Sequence, residues 1–337
     1  MAMEFIDGFD YLTAANGILK WDTFAGSLVT GVYGKGKAIG GACSGTKSLV
    51  ANDTTGFQCF HLYTGTRPSG NTGGFCSFFD AATTQCDLRM NNLGQLFFTR
   101  NGTSIGAAGA ALAPNRVYWI EVKVTISTTV GEASVQINGS AYLTQTNLNT
   151  QATGNASFNK VGFAGNFTGD QTQYFDSYHF FNNTAGSGND PSNFFGEHLI
   201  DTELANVVGS NTTWSRGGTN TGNNFSQVNE ANEDADITYV FSSTVNQIDS
   251  YGFVNLSETT GTIAIVAVNT IDRVDDGMIH VMDHFVLHSG SSVLSPGINP
   301  AAGYSNHQSL FALDPNTSAA FTVAGRNATE FGYKFIS

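Results

Sequence analysis

The 337-residue sequence has few charged side chains. Asp, Glu, Lys and Arg make up 12% of it, about half of the ~25% that is typical of soluble domains. The 14 basic residues form no stripe or cluster, and 27 acidic residues give a net charge of −13. Residues 186–337 hold 16 of the acidic residues and 4 of the basic ones. Such a chain repels a phosphate backbone, so we expect no nucleic-acid partner.

Long apolar runs are also absent. No stretch reaches the length of about 18 apolar residues that a membrane-spanning helix requires, so we expect no membrane insertion. The first residues, MAMEFIDGFDY, lack the basic and apolar regions of a secretory signal, and no such signal is expected. Within this stretch, Gly8 between two acidic residues predicts a bulge or a close backbone approach.

Cysteine is scarce, and the four residues Cys43, Cys59, Cys76 and Cys86 show no CxxC pair and no zinc-ligand spacing. Buried free thiols are the favoured interpretation for a protein made in a reducing compartment. The alternative is a disulfide between Cys76 and Cys86. These two would face each other on antiparallel strands if Ala81 lay at the centre of a hairpin turn.

What the sequence does have is aromatic residues, 26 Phe and 11 Tyr, which favour β-strands and packed cores. Two apolar segments, 174–181 and 194–200, flank a stretch of Asn, Gly, Ser, Asp and Pro that favours turns. We interpret them as the last strand of one domain and the first strand of another. The predicted domains are 1–183 and 193–337, joined by a hinge at 184–192.

Short strands separated by turn signals run through both halves and predict an all-β protein. The clearest strand is 117–126, which places Trp119, Glu121 and Lys123 on one face and apolar residues on the other. Asn101-Gly102 and Asn138-Gly139 are typical of tight hairpin turns. About eleven strands in the first half indicate a β-sandwich, and the second half indicates another.

Several segments of the sequence resemble those of a known family. The opening FIDGFD, the strands RVYWIEVKVTI, ASVQINGS and FDSYHFFNN, and the later NFFGE are similar to those of tailed-bacteriophage virion proteins. Those proteins carry a concanavalin-A/laminin-G-like jelly roll followed by a second β domain. The resemblance implies an N-terminal jelly-roll sandwich and a C-terminal β-sandwich.

The resemblance also implies a structural role in a virion, assembled in the host bacterial cytoplasm. The expected location is a tail tip, baseplate or fibre, and capsid decoration is the alternative. Expected partners are other virion proteins and further copies of the chain, as a trimer or higher homo-oligomer. Phe194 and Phe195, on an apolar strand, are the candidate interface residues.

A lectin-like adhesin that binds a host-surface glycan is a second hypothesis, with loops 63–71 and 304–307 as candidate contacts. A polysaccharide depolymerase is the third. Glycosidases need two carboxylates about 5–9.5 Å apart, and the first domain has only the dispersed Glu4, Glu121 and Glu132. We therefore predict that the chain is not an enzyme and has no catalytic residues.

Metal binding has two weak candidates. The acidic stretch 230–236 could bind Ca²⁺ but does not match an EF-hand, and a solvated loop is the favoured interpretation. His280, His284 and His288 alternate with apolar residues, which indicates a strand. Neighbouring histidines of this set would lie about 13 Å apart and could not share one metal. We expect surface or interface histidines and no cofactor, with Ca²⁺ as the alternative.

Overall fold

The computed structural model describes residues 3–10, 17–67, 69–165, 173–183, 194–219, 221–230, 233–256, 258 and 260–337. The chain forms two compact units. Within the described residues, the first unit contains those up to 183 together with 194–202, and the second begins at 203. The predicted hinge at 184–192 lies outside the described residues, and the predicted domain boundaries stay a prediction.

The first unit is built almost entirely from antiparallel strands. They are β1 (Met3–Asp7), β2 (Thr23–Thr30), β3 (Lys37–Asp53), β4 (Thr55–Tyr63), β5 (Cys76–Asp80), β6 (Thr83–Met90), β7 (Leu96–Arg100), β8 (Thr103–Ile105), β9 (Val117–Thr125), β10 (Gly131–Ile137), β11 (Ser140–Leu148), β12 (Phe158–Gly165) and β13 (Tyr174–Asn182). A short helix, α1 (Gly17–Lys20), precedes β2, and a 3-10 turn (Val32–Gly34) precedes β3.

These strands form one continuous sheet in the order β11-β10-β9-β4-β13-β3-β12-β5-β6-β7-β8, with β1 on β13 and β2 on β3. The 17-residue β3 pairs with β13 near its start, at Ile39 and Gly40. It pairs with β12 along the rest of its length, from Cys43 to Asp53. This long strand therefore carries the sheet from one layer to the other, and the sheet folds over itself as a sandwich.

The core lies between the two layers. One layer contributes alternate residues of β4, β9 and β13, and the other contributes residues of β5, β6, β7 and β12. Rings from opposite layers meet edge-on, with centroids 5.8 Å apart for Phe75 and Phe175 and 6.1 Å apart for Phe158 and Phe180. The predicted two-faced pattern of β9 is confirmed, because Ile120, Val122 and Val124 all lie in this core.

A buried polar chain joins the two layers. The hydroxyl of Tyr178 donates to Oε1 of Gln58 (2.8 Å), and the Gln58 amide donates to the carbonyl of Ser77 on the other layer (2.8 Å). Both side chains are fully buried. This link could not be expected from the sequence, because Gln58 and Tyr178 are 120 residues apart along the chain.

We expect Tyr178→Phe to lower the free energy of unfolding of the first unit by about 1–3 kcal/mol, because it leaves Oε1 of buried Gln58 without a donor. Urea titration followed by circular dichroism measures the change. Tyr118→Phe is the matched control, since its hydroxyl bonds the exposed Ala113. Equal losses in the two variants would contradict the interpretation.

A bulge in β13 shifts the alternation of its side chains by one residue. Asp176 pairs with His61 and His179 pairs with Cys59, so β13 has one more residue than β4 across this interval. Ser177 provides it, in a left-handed conformation with φ of 52°. As a result Tyr178 and Phe180 point into the core, whereas His179 and Phe181 point to the opposite face.

The second unit also consists of strands. They are β14 (Ala205–Thr212), β15 (Ser215–Gly218), β16 (Thr238–Phe241), β17 (Ile248–Phe253), β18 (Val266–Asp272), β19 (Met282–His288), β20 (Ser291–Leu294), β21 (Ser305–Phe311) and β22 (Thr329–Phe335). A 3-10 turn (Asn224–Gln227) and a short helix, α2 (Val323–Asn327), complete it.

A five-stranded sheet, β14-β17-β22-β19-β20, and two two-stranded sheets, β15-β16 and β18-β21, make up this unit. Phe331 and Val286 of the larger sheet pack with Phe311 and with the partly buried Val266 and Val268 of the β18-β21 sheet. The predicted all-β class, a jelly-roll sandwich followed by a β-sandwich, is confirmed. No helix among the described residues is long and apolar enough to span a bilayer.

The favoured interpretation of the cysteines as free thiols agrees with the structure, and the alternative disulfide between Cys76 and Cys86 does not. All four cysteines are buried free thiols. Cys76 pairs with Leu88 and Cys86 pairs with Phe78, because the register shifts between Phe78 and Phe79. Ala81 does occupy the turn, with φ of 53°, but Ala82 is part of the turn as well, and Asp80 pairs with Thr83. This two-residue turn and the register shift together move the two cysteines out of direct opposition, so the premise of a disulfide fails.

Candidate functional site

The most unusual surface of the first unit is the side of β9, β4 and β13 that faces away from the core, here called the outer face. Its side chains are those of Phe57, Cys59, His61 and Tyr63 on β4, Trp119, Glu121 and Lys123 on β9, and Tyr174, Asp176, His179 and Phe181 on β13. Most of these are buried. A strand pair buried on both faces needs a second cover.

That cover is residues 194–200, here called the covering segment, which belongs to the first unit. The Phe194 ring lies 5.7 Å from that of Phe57. Phe195 lies 5.8 Å from His179 and stacks on His198 at 4.0 Å. The segment forms no strand. The prediction of a strand over residues 194–200 is therefore wrong.

The predicted interface role of Phe194 and Phe195 stays a prediction, and both residues have contacts within their own unit. Both rings are half-buried against the outer face of their own unit. The outer face offers aromatic partners, which a solvated strand edge would not. The two phenylalanines are consequently internal contacts.

Glu121 fixes the middle of the covering segment. Its Oε1 accepts hydrogen bonds from the backbone N–H groups of Phe195 (2.5 Å) and Gly196 (2.8 Å). Gly196 has φ of 85°, a left-handed conformation that lets two successive N–H groups converge on one anion. A carboxylate and a backbone nest thus replace the strand ladder that the segment lacks.

A second polar contact joins the covering segment to the sheet, through the side chain of Glu197. Oε1 of Glu197 accepts a hydrogen bond from the hydroxyl of Tyr33 (2.9 Å) and lies 3.1 Å from Nε2 of His61. The side chain of Glu197 is 45% exposed, whereas that of His61 is fully buried. The Tyr33 ring meets His61 edge-on at 5.8 Å.

Four fully buried side chains beneath the segment form the buried polar cluster: His61, Trp119, Glu121 and His179. The Trp119 ring lies 4.7 Å from His61 and 5.2 Å from His179. Each of the four has one buried polar atom without a hydrogen-bond partner among the described residues: His61 Nδ1, Trp119 Nε1, Glu121 Oε2 and His179 Nε2. Four such atoms in one place are uncommon in a folded protein.

Burial dominates the electrostatics of this cluster. It raises the pKa of Glu121, against the lowering effect of the Gly196 and Phe195 N–H groups. The indole of Trp119 also lowers that pKa, although no hydrogen bond of normal geometry joins the two groups. Burial lowers the pKa of His61, and it lowers that of His179 to about 3.

Glu197 differs because it is near the surface. Burial raises its pKa, but the hydrogen bonds from His61 and Tyr33 outweigh this, and the pKa lies below its usual value. At neutral pH the site therefore holds a surface carboxylate above neutral imidazoles.

We expect Glu121→Ala to speed hydrogen exchange at the amides of Phe195 and Gly196 by about tenfold or more, because hydrogen bonds to a charged group contribute about 1.5–3 kcal/mol. Glu121→Gln keeps an acceptor oxygen and is expected to preserve most of the protection. Exchange mass spectrometry of a peptide spanning 194–200 makes the comparison. Unchanged exchange in Glu121→Ala would show that the ring contacts alone hold the segment.

The outer face continues beyond the covering segment to an aromatic patch. Tyr63 and Tyr174 are cross-strand neighbours, and their rings stack 4.7 Å apart at an angle of 10°. Both are half-buried, and Tyr33 is 62% exposed. We call these three residues the tyrosine patch. Asn115 lies at its edge, with Oδ1 3.4 Å from the Tyr63 hydroxyl.

Two histidines of the second unit lie in the predicted strand but not at the predicted surface. The strand containing His284 and His288 is confirmed, but both side chains are buried, so their assignment to a surface or interface is wrong. His284 Nε2 lies 3.0 Å from the Thr270 hydroxyl, and His288 Nδ1 lies 2.8 Å from the Asp314 carboxylate. These polar partners make burial of the histidines tolerable.

The acidic stretch 230–236 forms local contacts. Glu230 and Asp234 accept hydrogen bonds from the Thr238 hydroxyl. Asp236 pairs with Arg273 (2.8 Å) and accepts a hydrogen bond from Tyr304 (2.7 Å). Among the described residues, no group of three or more His, Cys, Asp or Glu side chains has the geometry to hold a metal ion.

Structural comparison finds enzymes that share part of the fold. A sialidase is 10% identical with a TM-score of 0.41, over 54% of this chain and 19% of its own. Trypanosoma rangeli sialidase is 10% identical with a TM-score of 0.34, over 47% of this chain and 27% of its own. Alginate lyase Aly36B is 15% identical with a TM-score of 0.32, over 50% of this chain and 90% of its own.

This chain thus spans less than a third of either sialidase chain, and likeness at these identities bears on the fold alone. No protein-family model matches the chain, and no curated protein matches it significantly. The matched structures are those of enzymes, so the prediction that this chain is not an enzyme is contradicted and is withdrawn.

Proposed function

We propose that the first unit binds a glycan on its outer face, with the tyrosine patch as the contact surface. The observation that carries this proposal is the placement of three partly exposed tyrosines beside the Glu197 carboxylate and the Asn115 amide. Sugar rings present apolar C–H faces and hydroxyl edges. A site of aromatic rings with a few fixed polar groups suits both.

The charge of the patch favours neutral sugars. Glu197 is an exposed acceptor whose pKa lies below its usual value, so it carries a negative charge at neutral pH. A carboxylate accepts hydrogen bonds from hydroxyl donors and repels the carboxylates of uronic or sialic acids. We therefore expect neutral oligosaccharides to bind better than acidic ones of the same length.

We expect Tyr63→Ala and Tyr174→Ala each to weaken glycan binding by about two- to tenfold, the range for aromatic contacts of about 0.5–1.5 kcal/mol. A glycan array identifies the ligand, and titration calorimetry measures the affinities. Tyr239→Ala is the matched control, because Tyr239 is a partly exposed tyrosine of the second unit. An array with no binding, or equal affinity in all variants, would refute the proposal.

Turnover is tested in the same samples. Release of reducing ends or of unsaturated sugars from the bound glycan would show that the face is an active site as well as a binding site. Attachment of this module to a phage particle, which the sequence resemblance implies, stays a prediction. A glycan-binding surface would suit a protein that contacts a bacterial host.

A further inference from the structure

The buried polar cluster is the part of the outer face that the tyrosine patch does not explain. We propose that it is a second sugar subsite, which residues 194–200 occupy in the structure and which a longer glycan opens by displacing them. The inference rests on the proposed function, because the subsite lies on the same face and adjoins the patch at His61.

The unpaired atoms indicate what chemistry the subsite would bind. Nδ1 of His179 faces the carbonyl of Ser177 (3.3 Å) and Nε2 of His61 faces the Glu197 carboxylate (3.1 Å), so these two nitrogens carry the protons. The unpaired atoms of both imidazoles are then acceptors, as is Oε2 of Glu121.

Three acceptors and one donor, the Trp119 N–H, therefore belong to neighbouring side chains of one face, among aromatic rings. Hydroxyl groups can both donate and accept, so a sugar with several hydroxyls satisfies this set. An anion would meet three acceptors and be repelled. The ring of Phe195, which lies 5.8 Å from His179, occupies the place where a sugar ring would pack.

The covering segment is held in a way that permits its displacement. Within the described residues, its bonds to the sheet all involve side chains: Glu121 to two backbone amides, Glu197 to His61 and Tyr33, and a 3.4 Å contact from the Ile200 amide to Ser177 Oγ. No strand ladder has to be broken. A ligand that makes the same contacts can exchange with it.

The test uses the full-length chain with neutral gluco-, galacto- and manno-oligosaccharides of increasing length, and with Phe195→Ala and Leu199→Ala. Phe195→Ala weakens the packing of the covering segment and leaves the four residues of the buried polar cluster unchanged. If the segment covers the subsite about 90% of the time, its removal raises affinity for the longer ligands by about tenfold. Leu199→Ala is the matched control, because Leu199 is in the same segment but 46% exposed, and its affinity should equal that of the wild type.

Two further readouts identify the subsite. In the wild type, the longer ligand should speed hydrogen exchange at the Phe195 and Gly196 amides, since displacement breaks their bonds to Glu121. Adding Trp119→Phe to Phe195→Ala keeps a ring but removes the N–H donor, and it should abolish the gain in affinity.

The outcomes separate the two proposals. Binding that depends on Tyr63, without gain in Phe195→Ala and with unchanged or slower exchange at Phe195 and Gly196, would overturn the subsite and leave the proposed function standing. Absence of binding by every oligosaccharide would overturn both.

Discussion

Trp21→Ala is expected to lower the free energy of unfolding of the first unit by about 3–5 kcal/mol, the usual cost of removing a large buried ring. Trp21 is 1% exposed. Its ring centroid lies 4.7 Å from that of Phe5 and 5.1 Å from those of Phe163 and Tyr178, each in an edge-on arrangement. One substitution therefore removes a partner from strands β1, β12 and β13 together.

The polar end of Trp21 adds to this cost. Its indole N–H donates to Oδ2 of buried Asp7 (2.7 Å), whose Oδ1 accepts from the Phe9 amide (3.0 Å) and the Lys20 ammonium (3.1 Å). Without the indole, Oδ2 of a buried carboxylate loses its donor, which costs about 1–3 kcal/mol or more. Trp21→Phe keeps much of the packing and should show mainly this second loss.

Urea unfolding followed by circular dichroism distinguishes the two losses. Ile18→Ala is the control, because Ile18 lies on neighbouring helix α1 but is 58% exposed. A loss below about 1 kcal/mol in Trp21→Ala would place this site in the range of surface substitutions. It would then contradict the role of the ring as the junction of the three strands.

The sequence predicted those features that depend on local pattern. Alternation placed Trp119 and Glu121 together on one face of β9, and the observed register agrees. Asn101 and Asn138 have positive φ, as their Asn-Gly turns required. The close approach expected at Gly8 is present, since an added Cβ would lie 3.0 Å from Ile200 Cγ2.

Features set by long-range register escaped prediction. The bulge at Ser177 decides that His179 faces outward, and nothing in the run of aromatic residues around it signals the extra residue. The shift between Phe78 and Phe79 is equally invisible, so the sequence alone could not exclude the alternative disulfide between Cys76 and Cys86.

The covering segment shows a second limit of prediction from sequence. Its apolar residues satisfy the pattern of a strand, and pattern alone cannot tell a ladder from a segment that packs its rings on another sheet. Glu121 was recognised as an isolated carboxylate on the best strand, but its partners are 74 and 75 residues away in sequence. One signal was available: an unbroken buried pattern around His179 indicates a strand covered on both faces.

Acidification is expected to destabilise the second unit, and a buried neutral histidine contributes a loss of stability in each unit. Burial lowers the pKa of His179 to about 3 and that of His284 to about 4, from an ordinary value of 6.5. Below pH 6.5 these imidazoles become protonated in the unfolded chain, whereas in the folded chain they stay neutral. Stability is therefore present in full above pH 6.5 and is lost as the pH falls toward 3–4, by an amount on the order of 3 kcal/mol for each histidine at pH 4.

Buried carboxyl groups oppose this trend. Burial raises the pKa of Glu4 and that of Asp176 to about 7. Because these folded-state pKa values exceed the unfolded ones, their contribution to stability is full below about pH 4 and is lost as the pH rises through 7. Both groups lie in the first unit. In the first unit these two carboxyl groups outweigh the single histidine between pH 7 and pH 4, so acid should weaken the second unit and not the first.

Neutral replacements isolate the contribution of each histidine. His179→Asn keeps a side-chain N–H near the carbonyl of Ser177, and His284→Gln keeps one near the Thr270 hydroxyl. In urea titrations, the stability of each variant relative to the wild type should be higher at about pH 4 than at pH 7.5, because an amide does not titrate. His280→Gln is the control, since His280 is partly exposed and its pKa is raised by the Asp276 hydrogen bond. If His284→Gln retained the full acid dependence, the buried imidazole would not be its cause. Titration of the carboxylates would then govern the acid stability of the second unit.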